Sequence, residues 1–436
     1  MAHTDRPMRV ALAGGGLAGL SCALALEKKR REGANIEVHV YEQAAKFAEI
    51  GAGVSLGPNA QTSLRLMGLG DVLESVAAPS DDPNLWFDFR VGDDGQDTGK
   101  QFAKVTGKNA GTGNVFRAAL LDGFISKLPA DRSSFNHRVR SYSPHAEGVT
   151  LHFEQEGVPD AEADVLIASD GIKSVLRKHL YQRKGEDLSK QAAKYSKWVA
   201  WRGMIPREKY EEAFGKEASD KIMHFGHGRH ILTFPVKKGE TINIVAFVRD
   251  ENDEKLGDHT APWAEPRPKE ELMADFASFN KDCKKLLEAI DSPSIWGIWD
   301  LRSIEYAVDE RTVLIGDAAH GTTPHQGAGA GQAIEDSLFL AELIAHPSVA
   351  NSLPATRGVA IERALRLYQT ERHPRAQKVQ TTSYEAGKLY EFLDPSAGSD
   401  LDKIKKNLEE RMSWIWSFDV EKELQRVVGL LEKEEA

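Results

Sequence analysis

Three short apolar runs, far apart in the chain, each end in a glycine-bearing turn, and this recurrence constrains the fold more than any other feature. They are Val10–Gly19 (VALAGGGLAG), Val165–Arg177 (VLIASDGIKSVLR) and Val313–Gly331 (VLIGDAAHGTTPHQGAGAG). Met8–Ala13 is apolar apart from Arg9, as in a strand of a parallel sheet covered on both faces. A helix is predicted from about Leu17 to Arg31, and Ile36–Tyr41 alternates as far as Glu42, which completes a βαβ unit. Gly14, Gly16 and Gly19 fall where strand becomes helix. Glycine there permits the tight turn, the approach of a pyrophosphate and helix–strand packing, and the helix start at Leu17 and Ala18 offers free N–H groups to phosphate. Glu42, ending the second strand, is placed to accept from ribose hydroxyls. With strand, helix and terminal acid together, the pattern reads as a dinucleotide site rather than a packing turn.

The first turn alone does not separate FAD from NAD; the third does. Asp317 follows the strand predicted at Thr312–Ile315, where a carboxylate can take a ribityl hydroxyl. Gly327, Ala328, Gly329, Ala330 and Gly331 then open a long helix over Gln332–Ala345. A helix start bare of side chains lets a flat ring lie on backbone, and its dipole favours the negative charge of a reduced flavin. The competing reading is a glycine loop kept for flexibility. In the second turn, Asp170-Gly171 with Ser174 and Arg177 makes either a salt bridge within the loop or a direct ligand contact. The chain has no second GxGxxG. A nicotinamide donor, NADH or NADPH, therefore binds transiently without its own Rossmann domain, or electrons come from another protein.

Composition narrows the class. A chain of 436 residues exceeds what one core usually supports. A net charge of −10 without clustered lysines and aromatics argues against nucleic acid. Two cysteines, Cys22 and Cys283, exclude a disulfide framework, a CxxC redox pair and a cysteine metal site. Val10–Leu26 imitates a signal peptide, but glycines break it and the charged run Glu27–Glu32 follows, so a cytoplasmic protein without a membrane span is expected. The expected fold is α/β: a Rossmann-like FAD-binding domain with a mostly parallel sheet (1–75, 105–185 and 300–375), an inserted antiparallel-sheet substrate domain (76–104 and 186–299) and a C-terminal helical segment (376–436). Strands are predicted at Lys197–Met204, Lys221–Phe225, His230–Val236 and Thr241–Val248, the last two joined by a hairpin turn at Lys237–Glu240. Helices are predicted at Asn59–Leu69 (ended by Gly70), Phe116–Leu128, Glu270–Ala289 and Val359–Arg372 (stopped by His373-Pro374).

These motifs resemble the single-component FAD aromatic hydroxylases, the family of para-hydroxybenzoate hydroxylase, over roughly Met8–Arg375. The GxGxxG is its first motif, Asp170-Gly171…Arg177 its DG motif, and Gly316-Asp317…Pro324 its GD motif. Arg117 looks like the helix arginine that contacts FAD, and Glu49–Gly53 with Val54, through Pro58-Asn59, like the segment beside the isoalloxazine. Gly316–Asp336, Gly228–Val236 and Trp414-Ile-Trp416 are similar to the salicylate hydroxylases within the family. In the parent enzyme proline and glycine are closer in the GD loop, whereas His325 and Gln326 intervene here, which argues against a para-hydroxybenzoate pocket. The tryptophan signature of the flavin halogenases is absent.

The resemblance implies an NAD(P)H-dependent monooxygenase: FAD is reduced, O₂ forms a C4a-hydroperoxide, and a phenolic acid is hydroxylated, with salicylate to catechol and loss of CO₂ the leading expectation. Another ring (3-hydroxybenzoate, a hydroxynicotinate, a secondary metabolite) is the alternative; an isoprenoid epoxidase or reductase, or a flavin scaffold without turnover, fits less well. Pro324 is expected to face the flavin. His230, sharing a strand face with Leu232 and Phe234, is the candidate base that ionises the phenol, although with 14 histidines in the chain a strand-end histidine in water is the competing reading. Arg249, which ends a strand, is preferred to Arg202 as the candidate for the substrate carboxylate, and His320, His325 and Gln326 are expected at the ring. No metal site is indicated. Besides a small aromatic acid, O₂ and NAD(P)H, no partner is implied, and the protein is expected to be a monomer or homodimer.

Overall fold

The computed structural model describes residues 6–47, 53–256 and 264–433. Its first sheet has six strands in the order Val308–Asp309, Thr312–Leu314, Val165–Ala168, Met8–Ala13, Ile36–Tyr41 and Ser133–Ser134. The pairs are parallel except for the edge pair of Val308–Asp309 with Thr312–Leu314. Register places Val10 beside Val165 and Leu166 beside Thr312, so the three apolar runs are neighbouring strands and their turns leave the sheet at one end. Side chains alternate between two buried faces, which is why these strands are apolar throughout.

The second sheet has eight strands, in the order Ala264–Pro266, Ser294–Asp300, Lys194–Pro206, Thr241–Arg249, Arg229–Val236, Ile222–Gly226, Leu85–Val91 and Gln101–Thr106. It is antiparallel except where Ile222–Gly226 runs parallel to Leu85–Val91. The hairpin at Lys237–Glu240 forms as expected, with Val236 opposite Thr241. A further three-stranded sheet, Val139–His145, Gly148–Phe153 and Ala161–Ala163, was not anticipated.

Several helix boundaries differ from expectation. The helix after Gly57 is Pro58–Leu66; Gly68, at φ +73, makes the left-handed exit, and Gly70 opens the next helix instead of ending the first. Residues 270–289 form two helices, Lys269–Asp275 and Lys281–Glu288, because Asn280 caps the second through the Cys283 amide. His373-Pro374 does not stop the late helix. Pro354–Leu367 passes through a π-turn, Tyr368–Arg372, into His373–Tyr390. The wider turn absorbs the proline, which has no N–H to give to the ladder. Among the described residues, no helix is long and apolar enough to cross a membrane.

Candidate active site

The first turn is built around its glycines. Gly14 adopts φ +105, and a Cβ on it would lie 2.5 Å from the Ser169 carbonyl oxygen. A Cβ on Gly19 would lie 2.0 Å from the Gly14 carbonyl oxygen, whereas one on Gly16 would meet nothing within 4 Å. The glycine pattern therefore closes the turn on one side and leaves it open on the other. Helix Leu17–Arg31 starts at that open side with no side-chain cap. Glu42 accepts from the Gly15 amide at 2.7 Å and from the Ala44 amide at 2.8 Å, which fixes the carboxylate at the mouth of the turn. Gly14, Gly16, Glu42, Arg138, Ser169 and Asp170 help to line a cavity of about 370 Å³. An open helix start, a held acid and a cavity of this size suit a nucleotide diphosphate.

The second turn ties the first to the third. Asp170 does not pair with Arg177 directly. It caps helix Val175–Arg183, accepting from the Val175 and Leu176 amides and from the Ser174 hydroxyl at 2.6 Å. Arg177 is buried and donates to the carbonyls of Gln191, Ile172 and, at 2.9 Å, Ala318. The first and third turns also touch: a Cβ on Gly316 would come within 2.8 Å of the Ala18 methyl. Asp317 is exposed at the start of its helix and accepts no hydrogen bond within the chain among the described residues. Its carboxylate is thus available to a hydroxyl-bearing ligand.

Behind the third turn lies a charged cluster. Asp336 accepts from the Gly316 amide at 2.9 Å, meets the His320 Nε2 at 2.5 Å, and pairs with Arg372 at 3.0 Å. Glu335 takes Arg375 at 2.8 Å and the Asn59 amide at 2.5 Å. Burial disfavours both ions, but His320 and Arg372 outweigh it and hold the Asp336 carboxyl down to about 2. His320 therefore supports the turn instead of facing a ring.

Beyond it, Gly327 takes the left-handed conformation at φ +60, and helix Gly329–Ile344 begins without a side-chain cap. Gly53 pairs with Phe116 and Val54 with Val115, so the short strand Gly53–Ser55 runs beside the start of helix Arg117–Lys127. The remaining residues of the expected ring segment, Glu49 to Ala52, lie outside the described residues. Between Gly53–Ser55, Pro324–Gly327 and the second sheet lies a cavity of about 120 Å³. Its walls include Trp86, Leu232, Phe234, Phe247, Arg202 and His325. Both ring nitrogens of His325 and the amide nitrogen of Gln326 are buried without a hydrogen-bond partner among the described residues. Buried polar atoms beside an apolar cavity suit a ring that carries polar substituents.

The substrate-side candidates separate. Among the described residues, Arg202 is the only charged side chain on the cavity wall; it stacks 4.6 Å over Trp296, and burial together with neighbouring Arg117 brings it down to about 10. Arg249 lies elsewhere, 4.2 Å over Trp198 and hydrogen-bonded to Glu251 and the Ser196 carbonyl. His230 shares the strand face of Leu232 and Phe234 but stands behind the wall, fully buried and stacked on Phe247 at 4.5 Å. Its ring centre is 5.3 Å from that of His325. Two residues absent from the sequence reading complete the setting. A Cβ on Gly387 would strike the His325 ring at 2.7 Å, and one turn later Glu391 meets His230 Nδ1 at 3.0 Å. A late helix with no motif carried no signal for either.

Residues 7–383 match the family model described as an FAD binding domain. The chain belongs to this family of FAD-binding flavoproteins, and among its members it is a flavoprotein monooxygenase. It is similar to salicylate hydroxylase of Pseudomonas putida, with 37% identity over 97% of this chain and 95% of that protein. It is also 34% identical to 6-methylsalicylate 1-monooxygenase of Aspergillus terreus, over 97% of this chain and 92% of the relative. A solved salicylate hydroxylase in a substrate complex superposes with a TM-score of 0.84 at 36% identity, covering 97% of this chain and 98% of that one.

Proposed function

We propose that this monooxygenase hydroxylates salicylate, or a hydroxybenzoate of the same size, with loss of CO₂ and formation of catechol. The observation that carries the reading is the 120 Å³ apolar cavity whose wall, among the described residues, holds Arg202 and a histidine without a hydrogen-bond partner, His325. Ligand sites for drug-sized molecules run to ~300–1,000 Å³, so this one suits a single ring. Arg202 would take the carboxylate in a bidentate contact, and Phe234, Phe247 and Leu232 would hold the ring flat and dry. The names of the two relatives, a salicylate and a 6-methylsalicylate enzyme, support the same substrate class.

FAD, when bound, supplies electron transfer from NAD(P)H and activation of O₂. Gly14, Gly16, Leu17, Ala18 and Gly19 would bind its pyrophosphate, Glu42 a ribose, Asp317 the ribityl chain, and Gly327–Gly331 with Gly53 and Val54 the ring. Arg117 and Asp170 would flank the chain between them. The backbone at Pro324 closes the cavity against water, which protects a reactive oxygen species from wasteful release. His325 is the group at hand for the phenol proton, with His230 behind it. Cys22 and Cys283 are both free and buried, which agrees with a cytoplasmic enzyme.

Product analysis over a panel of hydroxybenzoates, with NADH and O₂ consumption followed together, tests the assignment. Salicylate is expected to stimulate NADH oxidation and to yield catechol; an unchanged rate without catechol overturns it. Arg202→Ala is expected to raise the KM for salicylate by roughly 10–100-fold, the worth of a charge-assisted hydrogen bond (~1.5–3 kcal/mol), while the flavin spectrum stays unchanged. If Arg249→Ala has that effect and Arg202→Ala does not, the carboxylate contact belongs to Arg249.

A further inference from the structure

We propose that Glu391 is the terminal proton acceptor of a buried relay, His325–His230–Glu391, that ionises the phenol of the substrate in the ring cavity. The inference rests on the phenolic-acid reading above and deepens it.

The three side chains lie one behind another, inward from the cavity. His325 forms part of the cavity wall. His230 is the next ring inward, 5.3 Å between centres and tilted by 47°. His230 Nδ1 meets Glu391 Oε1 at 3.0 Å, and Glu391 Oε2 accepts from the Trp198 indole N–H at 2.7 Å. The other nitrogen of His230, Nε2, and both nitrogens of His325 have no partner among the described residues. All three side chains are fully buried or nearly so, at 0%, 0% and 1% exposure for His230, Glu391 and His325. Imidazoles left unpartnered at such depth cost stability unless a bound molecule completes them.

Glu391 is suited to hold the proton. Burial pushes its carboxyl up to about 8, against the pull of the Trp198 hydrogen bond and of Arg249 and Arg229, while Glu251 pushes the same way as burial. Burial also keeps His230 neutral, down to about 3, and His325 well below the usual histidine range. Neither imidazole is therefore a resting place for a proton, and each passes it on. In the transfer the phenol O–H bond breaks and an N–H forms on His325. The other N–H of His325 passes to His230 Nε2, across a small ring rotation or one water. The Nδ1 proton of His230 then forms the O–H of Glu391. Three bonds to hydrogen break and three form, the imidazoles end neutral, and one negative charge moves from Glu391 to the phenol oxygen. The carboxylate must be ionised beforehand, so turnover rises with pH through the Glu391 midpoint.

Glu391→Gln keeps an acceptor for Trp198 and a donor for His230, so it removes the proton site and little else. The expected result on the holoenzyme is normal FAD content and a salicylate KM within about twofold. The kcat falls about 100-fold, in the range for loss of a general base, and the rising limb near pH 8 disappears. The phenol ionisation of bound salicylate, read by absorbance, moves up by at least ~1 pH unit, and Glu391→Asp restores part of the limb. A Glu391→Gln enzyme with an unmoved pH profile overturns the relay. A second measurement needs neither turnover nor salicylate. The infrared carbonyl band of a protonated buried carboxyl should titrate away near pH 8 in the wild-type holoenzyme. Its absence overturns the proposal even if Glu391→Gln fails to fold, whereas failure of salicylate as substrate leaves this band standing.

Discussion

Gly19→Val is expected to yield a colourless protein. The Cβ at position 19 alone would lie 2.0 Å from the Gly14 carbonyl oxygen and 2.7 Å from the Ser169 hydroxyl. Neither is the far end of a flexible side chain: the carbonyl belongs to the turn, and Ser169 is held by the Ala13 and Gly14 carbonyls at 2.9 Å. The turn must open, the helix start withdraws from the phosphates, and FAD affinity should fall by at least ~100-fold, the loss of two to three charge-assisted hydrogen bonds at ~1.5–3 kcal/mol each. Equilibrium dialysis with FAD measures it, with circular dichroism as the check on folding. A yellow Gly19→Val protein would mean that the nucleotide does not sit at this turn. Gly16→Ala is the contrast, since its Cβ meets nothing within 4 Å and should keep the fold whatever it does to the ligand.

Asp336→Ala should cost about 3–5 kcal/mol of stability, the usual loss when one member of a buried charge cluster is removed. It would leave Arg372 with Glu335 at 3.5 Å and take away the acceptor of the Gly316 amide and the partner of His320. Calorimetry or urea unfolding measures the loss; a change below ~1 kcal/mol would show that the cluster carries little of the fold. The same carboxylate sets an acid limit. Its folded value lies at about 2, below the ordinary 3.8, so its contribution is complete above about pH 4 and is lost as pH falls toward 2. The wild-type midpoint in urea should drop steeply across that window, and Asp336→Ala should flatten the drop.

The legibility of the site in the sequence follows the range of the interactions. The dinucleotide turn was readable because its requirements are local: φ +105 at Gly14, close contacts at Gly19, and an acid at the end of the next strand. The second turn was ambiguous for a related reason. Asp170 and Arg177 lie in one helix start, and only the fold shows that the first caps amides while the second reaches Ala318, far along the chain. The preference for Arg249 over Arg202 rested on strand ends; the pairing of Arg249 with Trp198 instead turned it onto an indole. Gly387 and Glu391 were out of reach, since nothing in a late amphipathic helix signals that its inner face meets His325 and His230. The early stop at His373-Pro374 failed because proline penalises an α-turn, and the chain uses a π-turn there.

That wider turn has a mechanical consequence. One rod carries Arg372, which grips the acids behind the GD turn, and further on Gly387 and Glu391, which back the two histidines. Each residue of helix advances the azimuth by about 100°, so the extra residue at Tyr368–Arg372 acts as a phase adjuster between the cofactor end and the substrate end. Deleting a single residue there would leave both halves helical yet swing Glu391 out of line with its imidazole.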